Sequence, residues 1–206
     1  MMQLLYAPTS PYVRKVMVCA HLTGQADRIK CLESAAHPIR RDARIARYNP
    51  LAKVPTLILE GGQSLFDSRT ICEYLAASGG ATHLFPMEGE ERWRALSLQS
   101  LGDGLLDAAL LARYEMLARP PEFQWQEWRS AQLVKVAACM DAIEFEAPSM
   151  QCEAPTIGEV TIGCALGYID FRFPQIEWRD THLQAARWND AFQAIPAMLA
   201  TIPHDA

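Results

Sequence analysis

Between Gln3 and Gly80 the apolar pattern changes period several times, and the order of those changes constrains the fold more than any other feature of the chain. QLLYA (3–7) is a short apolar run of strand length. From Pro11 the residues Tyr12, Val13, Val16, Met17 and Ala20 recur at three- and four-residue steps, the period of a helix, and Gly24 supplies a C-terminal stop. RIKCLES (28–34) reads as a second strand, followed by a basic helix to about Tyr48. Strand, helix, strand in that order asks for a parallel pair joined by a right-handed crossover. TLIL and QSLFD are then two short strands joined through Gly61-Gly62, a hairpin signal. Asp67 or Ser68 starts a helix that turns Ile71, Cys72, Tyr74 and Leu75 inward and stops at Gly79-Gly80. The sum is βαβ followed by ββα, an α/β domain over residues 1–80.

Two turns in this domain carry residues of particular chemistry. APTSPYVRKV (7–16) puts a hydroxyl pair, Thr9 and Ser10, where the first strand gives way to the first helix. Ser10 suits the N-cap, because its oxygen accepts a bond from an otherwise unpaired backbone N–H, and Pro11 suits the first helical position, because it has no N–H to leave unpaired. A helix start is also a place to hold an anion, since its free N–H groups and partial positive charge favour negative charge. Pro55 opens the third strand, where a residue unable to donate to the sheet belongs, and composition alone reads it as trans.

The remainder is helical. GGATHLFPMEGEE (79–91) mixes glycine, proline and polar residues and contains the linker, 81–89; the all-helical domain then covers 90–206. One helix runs from Glu90 to Arg119, ended by Pro120-Pro121, and a second from about Glu122 to Glu146. TIGEVTIGCALGYIDF opens with Thr156 and Glu159, a T-x-x-E capping box ahead of an apolar helix whose Gly158, Gly163 and Gly167 imply close packing. A last helix covers about Thr181 to Thr201.

Composition removes several classes of function. A net charge of −5 leaves no footprint for general nucleic-acid binding, and the basic cluster IRRDARIAR (39–47) reads as a solvated helix face. None of the six cysteines forms a C-x-x-C pair, no run is long and apolar enough to cross a membrane, and the N-terminus lacks the features of a signal peptide, so a reducing, cytoplasmic home is expected. The five histidines are scattered without ligand spacing, so no metal is expected. There is no G-x-G-x-x-G loop, no P-loop and no G-x-S-x-G elbow that would make Ser10 an attacking nucleophile.

The order of Ser10-Pro11-Tyr12 at the first helix, NPLAKVP (49–55) before strand three and Asp67-Ser68 before the last helix resembles the N-terminal domain of cytosolic glutathione transferases, nearest to the bacterial and plant branches with Ser-Pro-aromatic at this turn. The resemblance extends over essentially the whole chain. It implies a thioredoxin-like βαβ-ββα domain followed by an all-helical domain, glutathione as co-substrate, a homodimer and a cis Val54–Pro55 bond. It also implies that glutathione is held by Ser10, Lys53, Val54, Pro55, Asp67 and Ser68. Ser68 and the amides behind it receive the γ-glutamyl carboxylate, Asp67 faces the ammonium, and the Val54 backbone pairs with the cysteinyl unit like one more strand. Lys53 reaches the glycyl carboxylate, a role for which Arg40, Arg41 and Arg44 compete. Ser10 is the residue assisting the thiol, with Thr9 as its competitor. Tyr12, Asp103, Asp107 and Arg113 are candidates for the second substrate's pocket. The family carries aspartate where Glu159 closes the capping box, so this chain caps with one extra methylene.

The activity so implied is attack of a glutathione thiolate on an electrophilic small molecule. Peroxide reduction, dehalogenation and isomerisation use the same thiolate and stand as alternatives. So does a non-catalytic binding or partner protein of the same fold.

Overall fold

The computed structural model describes residues 1–34 and 36–205. Ala35, inside the expected basic helix, and Ala206, at the end of the expected helical domain, lie outside the described residues. The chain divides into two compact units, Met1–Met87 with Pro196–Ala206, and Glu88–Ile195.

The first unit has the thioredoxin-like order. It contains β1 (Met2–Tyr6), α1 (Pro11–Leu22), β2 (Ile29–Glu33), α2 (Ala43–Ala46), β3 (Thr56–Ile58), β4 (Ser64–Leu65) and α3 (Ser68–Gly79). The strands lie in the order β2-β1-β3-β4, with β1 and β2 parallel and β3 antiparallel to both its neighbours. Alternation along the strands sends residues to two covered faces. Leu5 and Ile58 pack with Ile45 of α2 on one, with Leu32, Tyr48 and Val54 around them. Helices α1 and α3 pack on each other and bury Val13, Val16, Ile71 and Leu75. Burial on both sides explains why β1 and β3, the inner strands, read as nearly continuous apolar runs.

The basic helix is shorter than its sequence suggests. It spans only Ala43–Ala46, because the ring Nδ1 of His37 accepts from the backbone N–H groups of Ile39 and Arg40 and holds that segment in a turn. Such side-chain bonds compete with helical ones. Asp42 then starts the short helix by accepting from the N–H groups of Arg44 and Ile45.

The second unit contains α4 (Gly89–Leu117), α5 (Gln126–Glu146), α6 (Ile157–Arg172) and α7 (Leu183–Gln193). Helix α6 is its core: every residue from Ile157 to Leu166 is buried. Two glycines permit its approach to α4. A Cβ on Gly158 would stand 2.7 Å from the Leu98 Cβ, and one on Gly102 would stand 2.9 Å from the Thr161 methyl carbon. The start of α6 is the expected capping box. Thr156 Oγ1 accepts from Gly158 N at 3.1 Å, and Glu159 Oε2 accepts from Thr156 N at 2.9 Å. The longer glutamate does more than cap, since its Oε1 lies 3.4 Å from Arg94 Nη1, and Arg94 also pairs with Glu146.

The last helical stretch is broken rather than continuous to Thr201. Helix α7 stops at Gln193, and Pro196, which has no N–H to continue it, opens the short α8 (Pro196–Leu199). Here α8 returns to the first unit and packs on α1, where the Arg14 guanidinium donates to the Met198 carbonyl at 3.3 Å. The sequence reading had carried the helical domain through these residues.

Thr156→Ala removes the cap from the most buried helix and is expected to lower unfolding free energy by about 0.5–2 kcal/mol. Urea denaturation checks this; an unchanged midpoint would mean that Glu159 and Arg94 hold the helix start without the threonine.

Candidate functional site

The sheet register gathers the chemistry-bearing turns. Leu5 of β1 faces Thr56 of β3, and Leu57 of β3 faces Leu65 of β4. The turn before α1, the turn before β3 and the start of α3 therefore emerge at one end of one sheet, although they are separated by most of the domain in sequence.

At the first turn Ser10 is the N-cap of α1. Its backbone is extended, its N–H donates to the Ala7 carbonyl at 3.0 Å, and its Oγ accepts from Val13 N at 3.3 Å. The cap uses a lone pair of the hydroxyl and leaves the hydrogen available to donate. Thr9, also half-buried, makes no hydrogen bond among the described residues. At the third turn Asp67 is the N-cap of α3, accepting from Arg69 N at 2.9 Å, and Ser68 is its first residue, 3% exposed. Neither α1 nor α3 has an acidic residue in its first turn, so apart from Asp67 nothing on these helices offsets the positive end of the dipole.

Between them, the Val54–Pro55 peptide bond is cis, as the resemblance implied. Val54 lies two residues outside the register that begins with Thr56, and its main chain makes no hydrogen bond among the described residues. Lys53 is exposed, and its Nζ has no partner there. Arg40, Arg41 and Arg44 are exposed as well, but Arg41 donates to the Pro50 carbonyl at 3.2 Å and Arg44 to the Glu33 carbonyl at 3.1 Å. Sequence reasoning missed Asn49 and Thr56, which tie this turn together. Both are buried; the Asn49 amide and the Thr56 hydroxyl both donate to the Lys53 carbonyl. The pair Asn49-Pro50 reads simply as a turn, and only the burial of its amide signals more.

The four residues named for a second pocket are divided between the two units. Tyr12 is half-buried on α1 in the first unit. Asp103, Asp107 and Arg113 lie along α4 in the second; Asp103 is 2% exposed, Asp107 one turn later is exposed, and Arg113 is half-buried. Arg113 neighbours Tyr114 and Tyr168, and its charge partly offsets the burial that pushes the Tyr168 hydroxyl up to about 12. A separate groove of about 320 Å³ in the second unit, lined by Arg94, Ser97, Leu98, Leu101, Ala142, Phe145 and Glu146, contains none of these residues.

The chain's own thiols are poorly suited to supply a nucleophile. Cys19, Cys72 and Cys164 are buried, and burial pushes the thiols of Cys31, Cys139 and Cys152 up, with Glu159 and Glu153 adding to the effect at Cys152. Thiolate chemistry at the sheet end would need a thiol brought by a ligand. Among the described residues no group of three or more His, Cys, Asp or Glu side chains could hold a metal.

Comparison with known proteins gives the family. Residues 9–78 match the model of the glutathione S-transferase N-terminal domain. The chain is 31% identical over 173 residues, 83% of either chain, to an uncharacterised GST-like protein, YibF, of Escherichia coli K12. It belongs to the glutathione S-transferase family. Among solved structures, this transferase matches a glutathione transferase family member of Pseudomonas fluorescens Pf-5 with bound glutathione, at 41% identity and a TM-score of 0.95 over the full length of both chains. It also matches the glutathione-bound transferase of Methylobacillus flagellatus at 31% identity and a TM-score of 0.87, over 99% of this chain and 100% of that one.

Proposed function

We propose that this transferase binds glutathione at the end of its N-terminal sheet and activates the thiol for attack on an electrophilic small molecule. The observation that carries the reading is the convergence of two helix N-termini and the open Val54 main chain at one sheet end, set by the β1–β3–β4 register. The glutathione bound in the 41% identical relative supports it. Ser68 Oγ and the first amides of α3 receive the γ-glutamyl carboxylate, while Asp67 faces the ammonium. Val54 pairs with the cysteinyl main chain beside Pro55. Lys53 takes the glycyl carboxylate, favoured over Arg41 and Arg44 because their guanidinium groups already serve main-chain carbonyls.

The Ser10 hydroxyl then donates to the sulfur and, with the N-terminus of α1, lowers the thiol pKa. The thiol proton leaves to solvent. The thiolate forms a carbon–sulfur bond, and the carbon either expels a leaving group with its electron pair or, after addition to a double bond, passes the charge to an atom that takes up a proton. A relative 40% identical was solved with S-(propanoic acid)-glutathione, a thioether of this kind, which favours conjugation over the peroxidase, dehalogenase and isomerase alternatives. Tyr12, Asp103, Asp107 and Arg113 remain our candidates for contact with the electrophile. Clearance of reactive electrophiles in the cytoplasm is the role this chemistry suits.

The protein is further proposed to be a homodimer through its helical unit. Trp93, 66% exposed, and Phe145, 84% exposed, belong to the two helices that form the α4–α5 groove, an apolar surface suited to a second copy. Sedimentation should give a species of twice the 23.0 kDa chain mass, and Phe145→Asp should shift it toward monomer. Wild type remaining monomeric at micromolar concentration would refute the assembly.

Ser68→Ala should weaken glutathione binding on the order of tenfold or more, since a hydrogen bond to a charged carboxylate contributes about 1.5–3 kcal/mol. Calorimetry reporting unchanged affinity would take Ser68 out of the site.

Ser10→Ala should cut conjugation sharply at neutral pH and recover part of it at alkaline pH, where the thiol ionises unaided, with affinity little altered. Titration of thiolate absorbance in Ser10→Ala and Thr9→Ala separates the two hydroxyls. A raised thiol pKa in Thr9→Ala alone would leave Ser10 as a helix cap only.

A further inference from the structure

The turn NPLAKVPT (49–56) is tied together more closely than its sequence implies. Asn49 is 2% exposed and its amide is fully engaged. Oδ1 accepts from Leu51 N at 3.0 Å, and Nδ2 donates to the Lys53 carbonyl at 3.2 Å and to Thr56 Oγ1 at 3.0 Å. Thr56, wholly buried, closes the ring by donating its hydroxyl to the same Lys53 carbonyl at 2.9 Å. The main chain of Asn49 contributes at both ends, donating to Ile45 O at 2.9 Å and accepting from Ala52 N at 2.8 Å. Within the ring Ala52 has φ 52°, the left-handed region that side chains rarely adopt. Such a conformation persists when its surroundings over-determine it, and this commonly occurs at functional sites.

We propose that Asn49 is the positioning residue of the glutathione site. Its amide fixes the Lys53 carbonyl and thereby sets where the Lys53 side chain and the Val54 main chain present themselves to the tripeptide; this rests on the glutathione reading above. Asn49 acts through the turn and not by touching ligand, because it is buried and both its donors are already used. Ser10 belongs to a different turn, so the effect falls on binding and leaves the chemical step alone. Aspartate at this position has nearly the same shape and keeps the bond from Leu51 N, but it puts an acceptor where two donors are needed. The buried Thr56 hydroxyl can then turn to only one of its two possible acceptors.

The test measures glutathione affinity by calorimetry, KM and kcat for conjugation, and thermal midpoint in wild type, Asn49→Asp, Asn49→Ala, Thr56→Val and Thr56→Ser. Asn49→Asp and Asn49→Ala should raise Kd and KM for glutathione about tenfold, with kcat at saturation within about twofold. Thr56→Val should show the same pattern more weakly, and Thr56→Ser, which keeps the hydroxyl, should restore near wild-type KM. If the Asn49 variants fail to fold, Thr56→Val against Thr56→Ser decides by the same split. Folded Asn49→Asp with unchanged Kd would overturn the proposal, as would a fall in kcat with KM held. Wild type failing to bind glutathione would instead overturn the site itself.

Discussion

The antiparallel pairing of β3 between β1 and β4 is the constraint on which the N-terminal unit depends. Because β3 runs against both neighbours, the end of β1, the start of β3 and the end of β4 lie at the same edge. Register there is strict. A slip of one residue would turn Leu5 away from Ile45 and Ile58 and exchange every side chain between faces. The cost would be several buried apolar side chains at roughly 1.5–3 kcal/mol each. Packing elsewhere on the sheet thus decides where Ser10, Val54 and Ser68 stand.

The electrostatics at that edge follow from what the helices lack as much as from what they carry. With no acidic residue in the first turns of α1 and α3, the positive dipole ends of these helices favour anions. Asp67 is the exception: as N-cap of α3 it places one carboxylate at that edge, the charge we propose for the ligand ammonium. Burial meanwhile pushes the thiols of Cys31, Cys139 and Cys152 upward, away from reactivity at neutral pH. The chain offers an environment suited to a thiolate while holding its own less buried thiols in the neutral form.

Much of this was legible in the residues. Period changes gave the βαβ-ββα order, and T-x-x-E gave the start of α6 because a capping box is local and its partners lie three residues apart. Features decided by contacts distant in sequence were not legible. The basic run 39–47 has the composition of a helix, but His37 binds the backbone that would begin it. The stretch after Thr181 has helical periodicity on both sides of Pro196; the proline breaks it, but that α8 then packs on α1, nearly the whole chain away, is not written there. Asn49 escaped notice for a similar reason: N-P is a common turn signal, and nothing in the string shows that its amide is enclosed. The T-x-x-E pattern identifies Glu159 only as a cap, whereas its extra methylene lets one carboxylate oxygen serve Thr156 and the other face Arg94.

The hydroxyl of Ser10 shows why helix cap and thiol ligand need not be competing descriptions. Capping consumes a lone pair, through Val13 N at 3.3 Å, and contributes about 0.5–2 kcal/mol to the fold. Thiol activation consumes the hydrogen, and each unit of lowered pKa corresponds to about 1.4 kcal/mol. The two effects are of similar size and use different halves of one group. Accepting from the helix amide also polarises the O–H bond, so capping strengthens the donor that the proposed thiol activation uses. A proline next in sequence reinforces both, since it sets the backbone for the first helical residue without adding an N–H of its own to be satisfied. The Ser-Pro step is thus a structural device whose by-product is a fixed, directed hydroxyl at the positive end of a helix.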